Sequence, residues 1–434
     1  MKFLSKLIFA VCLLTCITAC DNNAQTKKDT GSFMPLKARN GELAKSEEWP
    51  VVQQKAQGLN EKIAKDPSDL KSKLLLAQLY MQEARITGEH PYYYPATLTI
   101  LDDVLSRDAN NFEALAYKAS VELSLHHFAD ALATGSKAKK INASNGFIFG
   151  VLCDANVELG NYDEAVKMSE QMQALRPGLE SYSRASYLRE IYGNNAAAIE
   201  AMKMAYNAGL PGSEEASWAG NTLAGLYEST GDLKNAENTY TQILTQRPSY
   251  AFAMAGLARV EKAKGNYDKA LAMLDKAIAM MPEFSFYEDK ADVYAAQGQP
   301  EKAKQMYTEV IGMLNEDAAS GHYADMELAK AYLHTGNMDK ALEHATIEYK
   351  RRPENIDANS TMGWVLYQKG EYAKAKEHMQ KAVRMNTQNA ELLCKAGIIE
   401  AAAGNKAKGT EWVKKAMKIN PNMPEDLKAK AKTV

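Results

Sequence analysis

Eight glycines recur at a near-constant interval along this chain. They lie at Gly160, Gly193, Gly231, Gly265, Gly298, Gly336, Gly370 and Gly404. Successive glycines are 33, 38, 34, 33, 38, 34 and 34 residues apart. A period of this length indicates one small structural unit repeated many times, with each unit burying its apolar face against its neighbours. The spacing therefore predicts a solenoid.

The residues around each glycine predict that the unit is a pair of helices. In every unit except the last, which has Gly409, an alanine lies five residues after the glycine. In all eight units a small residue lies seven residues before the glycine. Two small residues, one on each side of the glycine, allow two helices to pack closely. The sequence therefore predicts a helix, a turn at the glycine, and a second helix.

Residues typical of turns and helix ends also indicate a unit of two helices. A proline follows seventeen residues after the glycine in five units, at Pro177, Pro248, Pro282, Pro353 and Pro421. Proline cannot continue a helix, so we expect it to end the second helix. Six units have Asn or Asp directly after the glycine, at Asn161, Asn194, Asp232, Asn266, Asn337 and Asn405. These side chains can cap the second helix.

This pattern resembles the tetratricopeptide repeat (TPR) family. The unit with Leu223, Ala224, Gly231, Ala236, Tyr240 and Pro248 has most of the family's signature positions, and the unit with Gly265, Ala270 and Pro282 has the second half again. The resemblance implies an all-α, right-handed α-solenoid of about ten repeats over residues 66–421. Capping helices are expected at 47–65 and 422–434. TPR proteins share scaffolding rather than one activity, so the resemblance says little about function.

The N-terminus resembles a bacterial lipoprotein signal. Lys2 and Lys6 precede an apolar run over residues 7–19, which is too short for a permanent membrane span, and small residues lead into Cys20. We therefore predict a signal peptide at 1–19 and lipidation of Cys20, followed by a flexible polar tether to residue 46. The alternative is an ordinary secretory signal with an incidental cysteine.

These features predict a protein anchored by lipid in the bacterial cell envelope and facing the periplasm. Asp21 follows the cysteine. Aspartate there resembles the enterobacterial signal for retention in the inner membrane, whereas in other phyla acidic residues after the cysteine mark surface export. The choice of membrane stays open at this point.

Charge and cysteine content argue against a nucleic-acid partner, a disulfide framework and a metal site. The formal net charge is −2 and no basic block is present, so a nucleic-acid partner is not expected. Beyond Cys20, the remaining cysteines are Cys153 and Cys394. Because a solenoid makes contacts between neighbouring repeats, we expect these two thiols not to pair, and Cys153 to be buried. No cysteine framework or metal set is evident.

No catalytic or cofactor motif is present, so we predict a non-enzymatic protein without a cofactor. The sequence lacks the phosphate-binding glycine loops, the zinc-protease His-Glu-x-x-His motif and the hydrolase Gly-x-Ser-x-Gly elbow. His126 and His127 replace the Gly-Asn turn of their repeat. Adjacent residues point about 100° apart on a helix, so we do not expect a metal or catalytic site there.

Two degenerate repeats are predicted before the first glycine-marked one. An apparent insertion between the two helices of the first of these, from Thr87 to Pro95, contains Tyr92, Tyr93 and Tyr94. We expect it to fold back as an N-terminal lid, with a ligand platform as the alternative. The capping helix should direct Val51, Val52, Leu59 and Ile63 to the solenoid. The two 38-residue gaps should lengthen a helix or bend the array.

Binding is the remaining class of function. The TPR resemblance implies a concave face lined by first helices. By position this face includes Phe147, Asp154, Tyr187, Trp218, Asn221, Phe252, Arg259, Glu288, Asp292, Tyr323, Lys330, His334, Trp364 and Tyr367. Mixed aromatic and charged residues suit recognition of a protein or peptide. We therefore predict a lipid-anchored scaffold or adaptor. The alternatives are a lipoprotein that binds peptide or glycan for uptake, and packing of several of these residues against the preceding repeat.

Overall fold

A computed structural model describes residues 33–434, so the predicted signal peptide and Cys20 lie outside the described residues. The described chain is helical and contains no strand. Its helices are α1 (Glu48–Lys65), α2 (Leu70–Thr87), α3 (His90–Arg107), α4 (Phe112–Ser124), α5 (Phe128–Ile141), α6 (Gly146–Leu159), α7 (Tyr162–Leu175), α8 (Leu179–Ile191), α9 (Asn195–Ala208), α10 (Glu214–Ser229), α11 (Leu233–Gln246), α12 (Ala251–Ala263), α13 (Tyr267–Met280), α14 (Phe284–Ala296), α15 (Pro300–Ala319), α16 (Asp325–Thr335), α17 (Met338–Arg351), α18 (Ile356–Gln368), α19 (Tyr372–Ala382), α20 (Ala390–Ala402), α21 (Lys406–Ile419) and α22 (Glu425–Ala431).

Helices α2 to α21 form ten helix-turn-helix repeats, which confirms the predicted α-solenoid. In each repeat the even-numbered helix comes first and packs on the odd-numbered helix that follows. The small residues that flank the repeat glycines are all buried, as the close approach of two helices requires. Helix α1 packs on α2 at one end of the array, and α22 packs on α20 at the other.

The prolines follow the ends of the second helices as predicted, and some of the Asn and Asp residues cap those helices as predicted. The five prolines each lie two residues beyond the end of an odd-numbered helix, for example Pro248 after α11. Asn194, Asp232 and Asn337 accept a hydrogen bond from a backbone N–H of the following helix. Asn161 and Asn266 instead donate to side chains of the preceding helix. These two residues join the turn to the first helix.

Successive superhelical turns of the array contact each other, which the sequence did not indicate. The turn within each of the first five repeats meets the loop that follows the repeat five places later. The pairs of facing segments are Gly88 with Met281, His126–His127 with Gly321–Tyr323, Gly160 with Glu354–Asn355, Gly193 with Asn386, and Gly231 with Ile419–Pro421. Hydrogen bonds across this contact join residues 192 to 198 apart in sequence. We call this contact the seam.

Polar groups satisfy one another across the seam. The Asn355 Nδ2 donates to the carbonyl oxygen of Glu158 at 3.0 Å, and the Ile356 N–H donates to the Tyr162 hydroxyl at 2.9 Å. Arg352 forms an ion pair with Glu158. Further along the array, Asn420 Nδ2 donates to the Glu228 carbonyl at 3.0 Å. The seam is therefore a specific interface with its own hydrogen bonds.

The expectation that contacts are confined to neighbouring repeats is wrong for this chain. That rule holds for an open solenoid, whose turns are separated by solvent. Here one turn rests on the next, and the seam joins the first half of the chain to the second. The thiols of Cys153 and Cys394 are nevertheless unpaired and Cys153 is buried, as predicted, and Cys394 is buried as well.

The predicted tyrosine insertion does not exist. Gly88 ends α2 in the left-handed conformation, with φ 73°, and α3 begins at His90, so this repeat has the same short turn as the others. Pro91 lies in the first turn of α3, where its missing N–H costs nothing. Tyr93 and Tyr94 are buried on α3. Neither a lid nor a ligand platform is formed, because Pro91 starts a helix here.

The predicted flexible tether is packed from residue 33 onward, so that part of the prediction is wrong. Residues 33–47 form a strap across α2 and α3 with a short 3-10 turn, Gly41–Lys45. The hydroxyls of Tyr80 and Tyr92 donate to strap carbonyl groups, and the Tyr93 hydroxyl accepts from the Lys37 N–H at 3.1 Å. The tyrosines of α3 therefore bind the chain's own N-terminal segment.

A buried arginine fixes the strap. All three guanidinium nitrogens of Arg39 donate hydrogen bonds. Two of them contact the carboxylate of Glu83, at 2.7 and 3.0 Å, and both side chains are fully buried. Arg39 also pairs with Glu48 of α1 at 2.8 Å, and Glu48 pairs with Arg247 at 3.3 Å. Arg247 follows α11, so this network connects the start of the solenoid to the fifth repeat.

Two further predictions about local packing have clear outcomes. Leu59 and Ile63 of α1 are buried as expected, but Val51 is 64% exposed, and Trp49 and Ala56 complete the buried face instead. The second 38-residue gap lengthens α15 to 20 residues, whereas most second helices, such as α13, have 14. That extension carries Gly321–Tyr323 to the seam.

No helix within residues 33–434 is both long and apolar enough to cross a membrane.

Alanine substitution at two equivalent glycines separates the effect of the seam on stability from the effect of local turn geometry. Gly160 and Gly336 have φ 82° and 81°, but a Cβ at Gly160 would overlap the Glu354 carbonyl whereas one at Gly336 meets open space. Both variants should lose about 1 kcal/mol from left-handed strain. Gly160→Ala should lose about 1–3 kcal/mol more from overpacking, measured by urea denaturation of the full chain. Equal losses in the two variants would contradict the seam.

Candidate functional site

The first superhelical turn encloses a cavity of about 880 Å³. Nearly all of its lining comes from the first helices of the first five repeats, α2, α4, α6, α8 and α10. These helices face inward because their partners, the odd-numbered helices, form the outer layer of the solenoid. The cavity is therefore the concave side of the array.

Five aromatic side chains line the cavity. They are Phe112, Tyr117, Phe147, Tyr187 and Trp218. The rings of Tyr117 and Phe147 meet edge-on with centroids 6.2 Å apart. Tyr187 and Trp218 are 41% and 43% exposed, which is unusual for large apolar side chains and leaves their ring faces open to the cavity.

Charged side chains in the cavity are mostly carboxylates. Seven carboxylates line the wall, against three arginines. Each arginine is paired: Arg184 contacts Asp154 at 2.6 and 2.9 Å, Arg176 lies 3.5 Å from Glu180, and Arg85 lies 3.8 Å from Glu214. Glu158 pairs with Arg352 across the seam. The cations of the wall are thus already engaged.

Three lining carboxylates have no cationic partner among residues 33–434. They are Glu113 on α4, Glu190 on α8 and Glu215 on α10. Each lies three or four residues from a lining aromatic on the same helix: Tyr117, Tyr187 and Trp218 respectively. Residues at this spacing are neighbours on one helix face. The cavity wall therefore presents three pairs of a free carboxylate and an aromatic ring.

Burial shifts several cavity carboxyls towards the neutral form. Burial raises the pKa of Glu158 to about 7, opposed by the Arg352 guanidinium. The pKa of Glu190 is raised by burial and by the nearby Asp357 of α18. Burial also raises the pKa of Glu214, opposed by Arg85. The main cause of each shift is the loss of solvent around the carboxyl group, and neighbouring carboxylates add to it.

Sequence reasoning placed four of these residues on the concave face, and the structure brings them together. Phe147 and Asp154 on α6, Tyr187 on α8 and Trp218 on α10 all line the cavity. The other selected residues lie further along the array, mostly on α12, α14, α16 and α18. The free carboxylates were not selected. The sequence pattern that could have identified them is their position three or four residues from an inward-facing aromatic residue.

Arg259 and Asp292, both predicted to bind a partner, belong to an internal ion network. Arg259 contacts Glu228 at 3.0 Å and Asp289 at 2.9 Å, and Lys262 contacts Asp292 at 3.0 Å. These pairs join residues of α10, α12 and α14, so they stabilise the stacking of consecutive repeats. Their role towards a partner stays a prediction.

Six further selected residues are dispersed. Phe252 packs edge-on against Phe286, with ring centroids 5.2 Å apart, and Trp364 stacks on Tyr367 at 4.9 Å. Tyr323 lies at the seam, where the Arg351 guanidinium sits 3.8 Å from its ring centroid. Asn221 lies on α10 and Lys330 on α16, near Glu288. The structure thus places these six residues outside the cavity wall, and their binding role also stays a prediction.

Two family models match the chain. A tetratricopeptide repeat-like domain matches residues 171–322, and a tetratricopeptide repeat matches residues 356–389. The chain is a tetratricopeptide repeat protein. Proteins with such repeats are generally non-catalytic, and the two matches indicate a protein-interaction scaffold for this chain.

One solved structure that resembles this TPR protein is a thermophilic TPR protein from Thermus thermophilus. It is 21% identical, covers 47% of this chain and 99% of its own, and superimposes with a TM-score of 0.38. No curated protein matches this chain.

Three histidines of the TPR array gather at the seam. The His126 Nδ1 lies 3.1 Å from both the Tyr323 carbonyl oxygen and the His322 Nε2, and the His127 Nε2 lies 2.7 Å from the Gly321 carbonyl oxygen. His126 has φ 61°, so it fills the left-handed position of a repeat glycine. No group of three or more metal-ligating side chains in residues 33–434 is arranged to hold a metal ion.

Acid should weaken the seam through His322. Burial and the neighbouring His126, His90 and His127 lower the pKa of His322 to about 3, from an ordinary value of 6.5. A lowered folded-state pKa gives stability that is complete above pH 6.5 and lost as the pH falls towards 3. His322→Gln should reduce the loss of unfolding free energy between pH 7.5 and pH 5 by roughly 2 kcal/mol, measured by urea denaturation. An unchanged pH dependence would contradict this assignment.

Proposed function

We propose that this TPR protein is a non-catalytic scaffold of the bacterial cell envelope that binds a protein or peptide partner in the cavity of its first superhelical turn. The observation that carries the proposal is the pair of exposed aromatic side chains, Tyr187 and Trp218, inside that cavity. Aromatic side chains in a concave, partly desolvated site supply much of the binding free energy in protein interfaces.

The cavity is suited to an extended segment of a partner. It runs across five inner helices, so side chains at several points along a peptide can contact successive repeats. Its polar lining, which includes Gln78, Gln82, Asn145 and Ser183, offers hydrogen bonds to peptide groups. A scaffold that binds in this way needs no catalytic group.

Removing the two exposed rings tests the binding site. Tyr187→Ala with Trp218→Ala should abolish crosslinked capture of the partner from cell envelopes, because both side chains are free to contact it. Tyr372→Ala with Met204→Ala is the matched control, since these side chains are 43% and 50% exposed on outer helices. The readout is the set of captured proteins identified by mass spectrometry. Equal capture by both double variants would reject the cavity as the site.

A second candidate is capture of a peptide or glycan for uptake. The cavity volume of about 880 Å³ lies within the range of small-ligand sites, which favours this function. Binding of a free oligopeptide or oligosaccharide by the purified chain, with no captured protein that depends on Tyr187 and Trp218, would select it.

The proposal includes a lipid anchor at Cys20. The basic residues, the apolar run and the small residues before Cys20 support it. Residue 33, the first residue that the structure describes, can lie at most about 45 Å from Cys20 along a fully extended chain. The anchor would therefore hold the first repeats and the cavity near the membrane surface on its periplasmic side.

Cys20→Ala should prevent lipidation. In cells fed an alkyne-labelled fatty acid, the variant should lose the label and leave the membrane fraction, since one cysteine carries the acyl chains. Cys153→Ala is the control, because that thiol is buried in the solenoid. Retention of label in Cys20→Ala would refute the anchor.

A further inference from the structure

We propose that the cavity recognises a cationic partner segment, one that carries several lysine or arginine side chains in an extended conformation. This inference rests on the proposed function, since it names the chemistry of the segment that the cavity would bind. It follows from the distribution of charge and aromatic surface along the wall.

The wall lacks the countercharge that its carboxylates require. The cavity arginines are all committed to ion pairs within the protein, and Glu113, Glu190 and Glu215 have no cation among the described residues. The second superhelical turn adds Asp357, whose negative charge acts on Glu158 and Glu190. A bound cation would offset this excess of negative charge in a site partly shielded from solvent.

An aromatic ring lies beside each free carboxylate, and aromatic rings also attract cations. Tyr117, Tyr187 and Trp218 each neighbour one of them on the same helix face, and the last two rings are exposed. An ammonium or guanidinium group placed over such a ring gains a cation–π contact in addition to the ion pair. An acidic or neutral segment would gain neither interaction.

The three pairs are spread over α4, α8 and α10, so they span most of the cavity. A single small cation could contact only one pair. A peptide with several cationic residues can reach pairs on different repeats, and the exposed rings hold its aliphatic side-chain stems. The geometry therefore favours an extended segment over a free metal ion or a small amine.

Three fluorescent twelve-residue peptides test the charge of the partner segment. They share length and alanine content and alternate alanine with lysine, glutamine or glutamate. The full chain should bind the lysine peptide at least about tenfold more tightly than the other two, by fluorescence anisotropy. Binding should weaken as salt rises from about 50 to about 300 mM, because screening shortens the reach of these charges. Equal binding of the three peptides, or no binding of the lysine peptide, would overturn the proposal.

Charge-matched variants locate the effect. Glu113→Gln, Glu190→Gln and Glu215→Gln together should weaken lysine-peptide binding about tenfold or more. The control removes three unpaired carboxylates from outer helices, with Glu170→Gln, Asp268→Asn and Glu309→Gln, and should leave binding unchanged. Because both triple variants change the net charge equally, an equal loss in both would show only general attraction and reject the site.

Failure of this inference differs from failure of the proposed function. If Tyr187→Ala with Trp218→Ala abolishes partner capture but the three cavity glutamines do not reduce it, the cavity binds a partner of another chemistry. If none of these changes reduces capture, the cavity is not the binding site. Thermal unfolding of each variant, followed by circular dichroism, shows that a loss of binding is not a loss of fold.

Discussion

The contact between successive superhelical turns determines most of this structure. In an open solenoid each repeat is held only by its two neighbours, and the superhelix is free to stretch. Here the turn of one repeat is packed against a loop 192 to 198 residues away, with hydrogen bonds such as Asn355 to Glu158 across the contact. Close packing explains why Gly160 and Gly193 have no room for a side chain.

The seam also shapes the cavity. The inner wall belongs to the first five repeats, but part of its electrostatics comes from the second turn, through Arg352 and Asp357. Arg352 balances Glu158, whereas Asp357 adds to the negative charge near Glu190. A partner bound in the cavity would thus experience charges from both turns, although it contacts mainly one.

Local sequence signals predicted the repeats well because each signal acts within one unit. The prolines mark helix ends, and the small residues mark the contact between paired helices, whatever the rest of the chain does. The same logic would have found the turn of the first repeat: Gly88 stands 38 residues before His126 and 72 before Gly160, which continues the period. It was missed because the following tyrosines and prolines look like a loop, whereas Pro91 starts a helix. The strap, the seam and the free carboxylates could not be predicted in this way, since each depends on residues far apart in sequence, such as Arg39 with Glu83.

The seam has a consequence for how such a chain can evolve. An open array tolerates duplication or loss of a whole repeat, because each unit needs only a similar neighbour. In this chain, loss of one unit between Gly265 and Gly298 would shift every later loop by one repeat relative to the first turn. Gly160 would then face a loop shaped for Gly193, and the extension of α15 would meet the wrong partner. A change in the number of repeats would therefore disrupt the contacts of the seam in this chain.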